Sequence, residues 1–220
     1  MMFGASEEYT GTESAVTLST QAFDPNSVFE IRPGLQIPPE AAPMWDDETQ
    51  AVVGYCVNRG GVFQYYDLDG NWVGIDELPL ETPWLDPIDL IGVVGGLLRV
   101  FARGGIRLGP KMAQVVASKA AIRGVQATIL ARMRFAFTRL IGRQLQFTAT
   151  TAKHMAQSER FVPVHILQLA LKHGARKADG RALQGAFEYV IPMLRNGQGY
   201  TLKVVVREQD WTVLHFHYFR

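Results

Sequence analysis

All five histidines of this 220-residue chain, His154, His165, His173, His215 and His217, fall in its last 67 positions, among a surplus of Arg and Lys. Imidazole has an ordinary pKa of about 6.5, so it can take and give protons near neutral pH. Cleaving RNA needs a base for the 2′-hydroxyl, an acid for the leaving 5′-oxygen and cations that steady the charged phosphorane. Arg160, Arg176, Lys177, Lys203 and Arg207 supply those cations. His215 and His217 alternate with Leu214, Phe216 and Tyr218. A period of two puts both histidines on one strand face with Trp211 and Val213, and the other three opposite. Thr151, His154 and Ser158 share a helical face too polar to be a pure core stripe, which makes His154 a site candidate. His165 is expected on the solvent side of its helix, and His173 in a last turn where the helix dipole favours a cation. His215-X-His217 offers two corners of a metal site, but no Cys pair or acid pair nearby supplies the rest. Cys56 has no evident catalytic partner. Gly92-Val93-Val94-Gly95-Gly96 precedes no Gly-Lys-Ser/Thr, so it reads as close packing or membrane contact rather than a phosphate loop.

The elements that must hold these residues form an α–α–β–β–β block. Thr151–Glu159 reads as a short helix. Pro163 opens a second helix and Gly174 closes it. Its buried stripe is Val164, Leu167, Ala170 and Leu171, with His165, Gln168 and Lys172 opposite. Strand-like runs follow at 186–194, 200–208 and 211–219. The connection Asn196-Gly197-Gln198-Gly199 and the pair Gln209-Asp210 are short enough to force antiparallel neighbours. Upstream, 111–145 reads as one or two helices, with Pro79–Pro87 as a linker before them. Strands at 51–57 and 61–66, with an Asp69-Gly70-Asn71 turn, predict a small sheet. Residues 1–50, broken by Pro25, Pro33, Pro38, Pro39 and Pro43, read as a tail or extended segment. The expected class is α+β: two short helices packed on a small antiparallel sheet, preceded by a helical segment and an N-terminal region with a small β element. The expected divisions are 1–87, 88–146 and 147–220.

Charge is sorted along the chain. Residues 1–89 carry sixteen acids against two bases, 90–158 eleven bases and no acid, and 159–220 nine bases against five acids; the formal total is only +1. Blocks of opposite sign attract each other or separate partners, and a basic half points to nucleic acid, anionic lipid or an acidic protein. The apolar content of 47% argues against disorder throughout. One cysteine excludes an internal disulfide. The run Leu90–Leu98 is short of the roughly 20 residues that a bilayer requires. The first residues lack the cationic start and apolar run of a signal peptide.

The run Thr148-Ala149-Thr150, His154, Ser158-Glu159-Arg160, Val162-Pro163-Val164, Ile166-Leu167, Ala170 and Gly174 carries a resemblance. It continues through Asp179, Gly185, Tyr189, Asn196-Gly197, Tyr200, Leu202, Val204-Val205 and Leu214-His215-Phe216-X-Tyr218. Together these residues resemble the toxin tips of bacterial polymorphic and contact-dependent toxins, most of all those with the barnase–EndoU–colicin–RelE-like ribonuclease fold. The resemblance covers about 147–220. Tyr65-Tyr66-Asp67-Leu68-Asp69-Gly70 and Asp86-Pro87-Ile88-Asp89-Leu90-Ile91 look like the region before such a tip. No Val-Glu-Asn-Asn marker and no giant stalk precede it, which suits a stand-alone effector such as a type VI secretion cargo.

The resemblance implies an endoribonuclease, often acting on tRNA, with no cofactor and a cognate immunity protein, expected to be acidic. It carries His154, Arg160, His215 and Tyr218 over as catalytic positions, His154 and His215 being base and acid in either order. Arg176, Lys177, Lys203 and Arg207 are expected to bind substrate. The acidic segment 1–89 is expected to cover the basic surface as a nucleic-acid mimic. Synthesis in the bacterial cytoplasm is expected, then export with a secretion apparatus or chaperone, transient membrane contact through 88–109 and action in the target cytoplasm. Two other readings stand beside this one: a membrane-active or translocation protein using 88–145, and a non-catalytic RNA- or protein-binding module. DNA as substrate stays open.

Overall fold

The structure is a computed structural model that describes residues 9–16, 18, 27–33, 37–77, 127–142 and 144–220. It is of the α+β class and divides into two compact units, residues 1–31 with 138–220, and residues 32–137. The glycine-rich stretch at 88–109, the linker before it and the start of the expected basic helix lie outside the described residues.

In the second unit the alternating run before position 77 builds a sheet ordered β2 (Ala42–Asp46), β3 (Ala51–Arg59), β4 (Val62–Asp67) and β5 (Trp72–Glu77). The β4–β5 turn is tied by Asp67, whose Oδ1 accepts the backbone N–H groups of Asp69 and Asn71. Helix α1 (Ala127–Ile141) belongs to this unit through Phe137. Its Arg134 makes a two-pronged contact with the buried Asp46, Nη2 to Oδ1 at 2.7 Å and Nε to Oδ2 at 3.1 Å. Burial alone would raise the Asp46 carboxyl pKa, but the guanidinium holds it below the ordinary range.

The first unit carries the histidines. Its six described strands are β1 (Phe29–Glu30), β6 (Gln146–Phe147), β7 (Ala175–Ala178), β8 (Ala186–Arg195), β9 (Gln198–Arg207) and β10 (Thr212–Phe219). The order is β1-β8-β9-β10-β6, with β7 also on β8. The β8–β9 hairpin turns on Asn196 and Gly197 alone, both at positive φ (52° and 70°), the left-handed pair that matches the twist of two-residue hairpins. Three features depart from expectation. Strand β7 has no counterpart among the expected strand runs. Strand β6 pairs with β10 in parallel, so the sheet is not wholly antiparallel. Residues 29–30, within the stretch read as a tail or extended segment, pair as an edge strand on β8.

Helix α2 (Ala149–Met155) is shorter than expected. Thr148 caps it, accepting the Thr151 N–H at 3.2 Å. The Thr151 hydroxyl donates to Val213 O and pins the helix to β10. Helix α3 (Val164–His173) starts after Pro163. It buries His165 and Gln168 together with Ile166, Leu167, Leu169 and Ala170, so two of the three residues of the expected polar face are inside, while Lys172 stays exposed. Gln168 Nε2 reaches the Ile141 carbonyl at 3.5 Å, which shows what covers that side. Gly174 ends α3 in extended geometry (φ −71°, ψ 152°) rather than in a left-handed cap, and the chain enters β7 at once. A Cβ at Gly174 would stand 2.4 Å from Ala170 O. Gly174→Ala is therefore expected to lower stability by about 1–3 kcal/mol, read as a lower urea midpoint at unchanged slope; an unchanged midpoint would show that this junction is not tight.

Candidate active site

The register of β7 to β10 sorts the reactive residues onto two faces. Lys177 stands beside Glu188, Glu188 beside Val205, and Val205 beside His215. The next row on the same face is Ala175, Val190, Lys203 and His217. Arg207 lies on this face too, opposite Ala186 and Thr212. The other face carries Arg176, Tyr189, Val204 and Phe216 in one row, and Ile191, Leu202 and Tyr218 in another. Helices α2 and α3 pack on that second face, where the His154 ring meets Phe216 edge-on at 5.9 Å. A bulge between Val213 and His215 moves Val213 off the histidine face, where simple alternation had put it.

Of the residues expected to form one site, the fold therefore gathers His215, Lys177, Lys203 and Arg207 on the open face. His154, Arg160, Tyr218 and Arg176 go to the helix side. His154 and His215 do not converge, because the sheet lies between them. His154 is 4% exposed, with its Nε2 2.7 Å from Arg160 Nη1. Tyr218 donates to Glu159 O at 2.7 Å and contacts Arg195. Arg176 is spent on Glu208 (2.6 and 2.8 Å) and lies over the Phe187 ring. Arg207 grips Asp210, whose carboxyl it holds down to about 2.

What forms instead is a cluster around two histidines on one strand. His215 Nε2 and His217 Nδ1 are 3.1 Å apart. Beside them Glu188, 3% exposed, receives Lys177 Nζ at 2.7 Å on one oxygen and Lys203 Nζ on the other. Burial works to raise the Glu188 pKa, and the two lysines overcome it, so the carboxyl sits below its usual range. The imidazoles move the opposite way to a paired cation. Burial, with the fields of His217, His154, Arg181 and Lys203 behind it, pushes His215 down to about 4. Burial and Lys203 lower His217, with Glu188 partly offsetting them. At neutral pH the pair is uncharged: the N–H of one ring donates to the lone pair of the other, which leaves the donor ring a lone pair to accept a proton and the acceptor ring an N–H to give one.

Over this cluster runs the segment 9–16. The Tyr9 ring stacks on His215 (5.7 Å between centroids, 19° between planes), and Arg181 Cζ lies 4.2 Å from the Tyr9 centroid. The Tyr9 hydroxyl donates to Asp179 Oδ1 at 2.6 Å. Arg181 donates to the carbonyl of Tyr9, and Arg207 to those of Gly11 and Glu13. Val16 N donates to Phe147 O at 2.7 Å. Sequence reading missed Glu188, Asp179, Arg181 and Tyr9. Glu188 was legible in principle, being the one acid inside the 186–194 strand run. Among the described residues, no three His, Cys, Asp or Glu side chains converge to hold a metal ion. The open cleft bounded by Val16, Ile141, Phe147 and Gln168 has no titratable lining.

A scan of protein-family models, a search of curated proteins and a search of solved structures each return no match for the chain.

The depressed imidazoles set a pH dependence. Unfolded, His165 and His215 take up protons near pH 6.5; folded, both resist until about pH 4. The unfolded state then binds more protons in between, so stability falls as pH drops from 7 to 5. Fully buried His165 accounts for about 2 kcal/mol of that loss, and His215 adds in the same direction. Urea midpoints at pH 7 and pH 5, where carboxylates are mostly ionised in both states, check this. A flat or rising midpoint on acidification would show that both rings charge freely.

Proposed function

We propose that the chain is an RNA-cleaving toxin whose chemistry sits on the open sheet face at His215, His217, Lys203, Lys177 and Glu188. The observation that carries this reading is the hydrogen-bonded His215–His217 pair, uncharged at neutral pH, beside Lys203, which shares Glu188 with Lys177. A neutral imidazole accepts the proton of a 2′-hydroxyl, and the O2′–P bond forms as the P–O5′ bond breaks. The pair hands a proton to the departing 5′-oxygen, so a 2′,3′-cyclic phosphate and a 5′-hydroxyl result and the enzyme ends as it began. Lys203 and Lys177 stabilise the charge that gathers on the phosphorane. Glu188 orients both ammonium groups; a carboxylate with so low a pKa is a weak base, which assigns it positioning rather than proton abstraction. His154 and Arg160 support the sheet from behind.

The cellular role that goes with this reading is that of an effector made in one bacterium and acting in the cytoplasm of another, with an acidic immunity protein covering the lysine-rich face. The membrane-active alternative rests on 88–145, most of which lies outside the described residues, and no described helix is long and apolar enough to cross a membrane. A non-catalytic RNA-binding module remains the competing use of the same face.

Purified protein incubated with total RNA and a chelator tests the proposal. His217→Ala and His215→Ala are each expected to reduce cleavage about 10²–10⁴-fold, with Lys203→Ala also impaired. His154→Ala is expected to lower stability by about 1–3 kcal/mol while leaving cleavage per folded molecule within a few-fold. Equal activity of parent, His215→Ala and His217→Ala would overturn the catalytic assignment; undiminished RNA binding without cleavage would favour the binding module.

A further inference from the structure

The Tyr9 side chain is held as a ligand is held. Its ring stacks on an imidazole, a guanidinium sits over it, and its hydroxyl meets a carboxylate oxygen. Asp179 is 4% exposed, and its other oxygen accepts the Arg181 backbone N–H at 3.1 Å. The carboxylate is thus fixed from behind and turns Oδ1 to whatever occupies the slot. Burial and Asp179 together raise the Tyr9 pKa, so the phenol keeps the proton that it donates. A flat ring with a polar hydrogen at its edge is also the shape of a nucleobase. Stacking on aromatic and guanidinium planes, with an edge N–H donated to a carboxylate, is the ordinary means of holding an unpaired base. The slot also adjoins the candidate chemistry, since one of its walls is His215.

We propose that His215, Arg181 and Asp179 form a nucleobase subsite, and that segment 9–16 is its built-in competitor, with Tyr9 in the place of the base. The substrate class then narrows to single-stranded RNA; each base can offer Asp179 an edge N–H, and guanine is favoured because it alone presents two adjacent donors. The strap's backbone carbonyls at 9, 11 and 13 occupy Arg181 and Arg207, two cations that RNA phosphates also seek. Strap and RNA are therefore mutually exclusive. Because the strap is tethered, it competes at a high effective concentration even if each contact is weak. The inference takes its substrate class from the nuclease reading, but it is tested without requiring cleavage.

The test uses the full chain as wild type, Tyr9→Ala, Tyr9→Phe, and Tyr9→Ala combined with Asp179→Asn. Calorimetry measures binding of guanosine, adenosine, cytidine and uridine 3′-monophosphates and of inorganic phosphate, with thermal melting to confirm that each variant is folded. Tyr9→Ala is expected to bind the guanosine nucleotide at least ~10-fold tighter than wild type. Tyr9→Phe, which keeps the stacking and loses the Asp179 bond, is expected to gain only a few-fold. Asp179→Asn is expected to remove most of the gain, and inorganic phosphate to gain much less than the guanosine nucleotide. Equal nucleotide affinity in wild type and Tyr9→Ala overturns the proposal, as does a gain that inorganic phosphate shares in full. Tighter nucleotide binding by Tyr9→Ala with no RNA cleavage by any variant keeps the subsite and removes the nuclease. Cleavage that Tyr9→Ala leaves unchanged, with no nucleotide gain, does the reverse.

Discussion

Glu188 is a carboxylate almost wholly withdrawn from water on a sheet face that no described helix covers. An unpaired charge in that position would be prohibitive, and removal of one partner from a buried pair is itself strongly destabilising. Two lysines on neighbouring strands make it tolerable, one from β7 and one from β9. That requirement fixes much else. It explains why β7 must pair with β8 rather than continue α3, and why Lys177 faces one way while Arg176 faces the other. It also leaves a net positive charge beside His217, which joins burial in holding that imidazole neutral. Glu188, His215 and His217 all respond to Lys203, so the acid and the two imidazoles belong to one electrostatic unit.

The helix side is organised by different physics. There Arg176, Tyr189 and Glu208 saturate one another, as do His154 and Arg160, and Arg195 with Tyr218 and Ser27. One of these contacts, Arg176–Glu208, is an ion pair and the others are hydrogen bonds; side chains engaged with one another in this way between packed elements serve structure. The open face differs in that its donors converge on one carboxylate and one stacked ring.

The hairpins were legible because their signals are local. Asn196-Gly197 fixes the β8–β9 register, and the Asp-Gly-Asn run before Trp72 fixes the β4–β5 turn. The alternation of His215 and His217 was legible for the same reason, and it placed them on a shared face correctly. Val213 was misplaced because a bulge is a one-residue event with no strong signature in composition. The pairing of His154 with His215 was lost to topology: a helical face and a strand face each looked polar, but only the fold decides which side of the sheet the helix takes. His165 and Gln168 look solvent-facing on a helical wheel, yet α3 is covered on more than one side. Strand β7 was hidden by its shortness. Tyr9 and β1 were beyond reach, since their partners lie about 170 residues away and no local pattern announces such contacts.

The charge sorting was read as an acidic N-terminal region lying on a basic C-terminal one through side-chain charge. The described cover works otherwise. Along 9–16 the only acidic side chain, Glu13, turns back to Thr10, and it is carbonyl oxygens and one aromatic ring that engage Arg181, Arg207 and His215. Carbonyl dipoles bonded at 3 Å are much less sensitive to salt than separated full charges. RNA, by contrast, binds through phosphates and loses affinity steeply as salt rises. Strap and RNA therefore compete on unequal terms: rising ionic strength favours the strap and low ionic strength the polyanion. A carboxylate-based mimic would weaken along with its competitor and keep the balance level. Aromatic stacking and backbone acceptors make the cover a closure that persists at high salt.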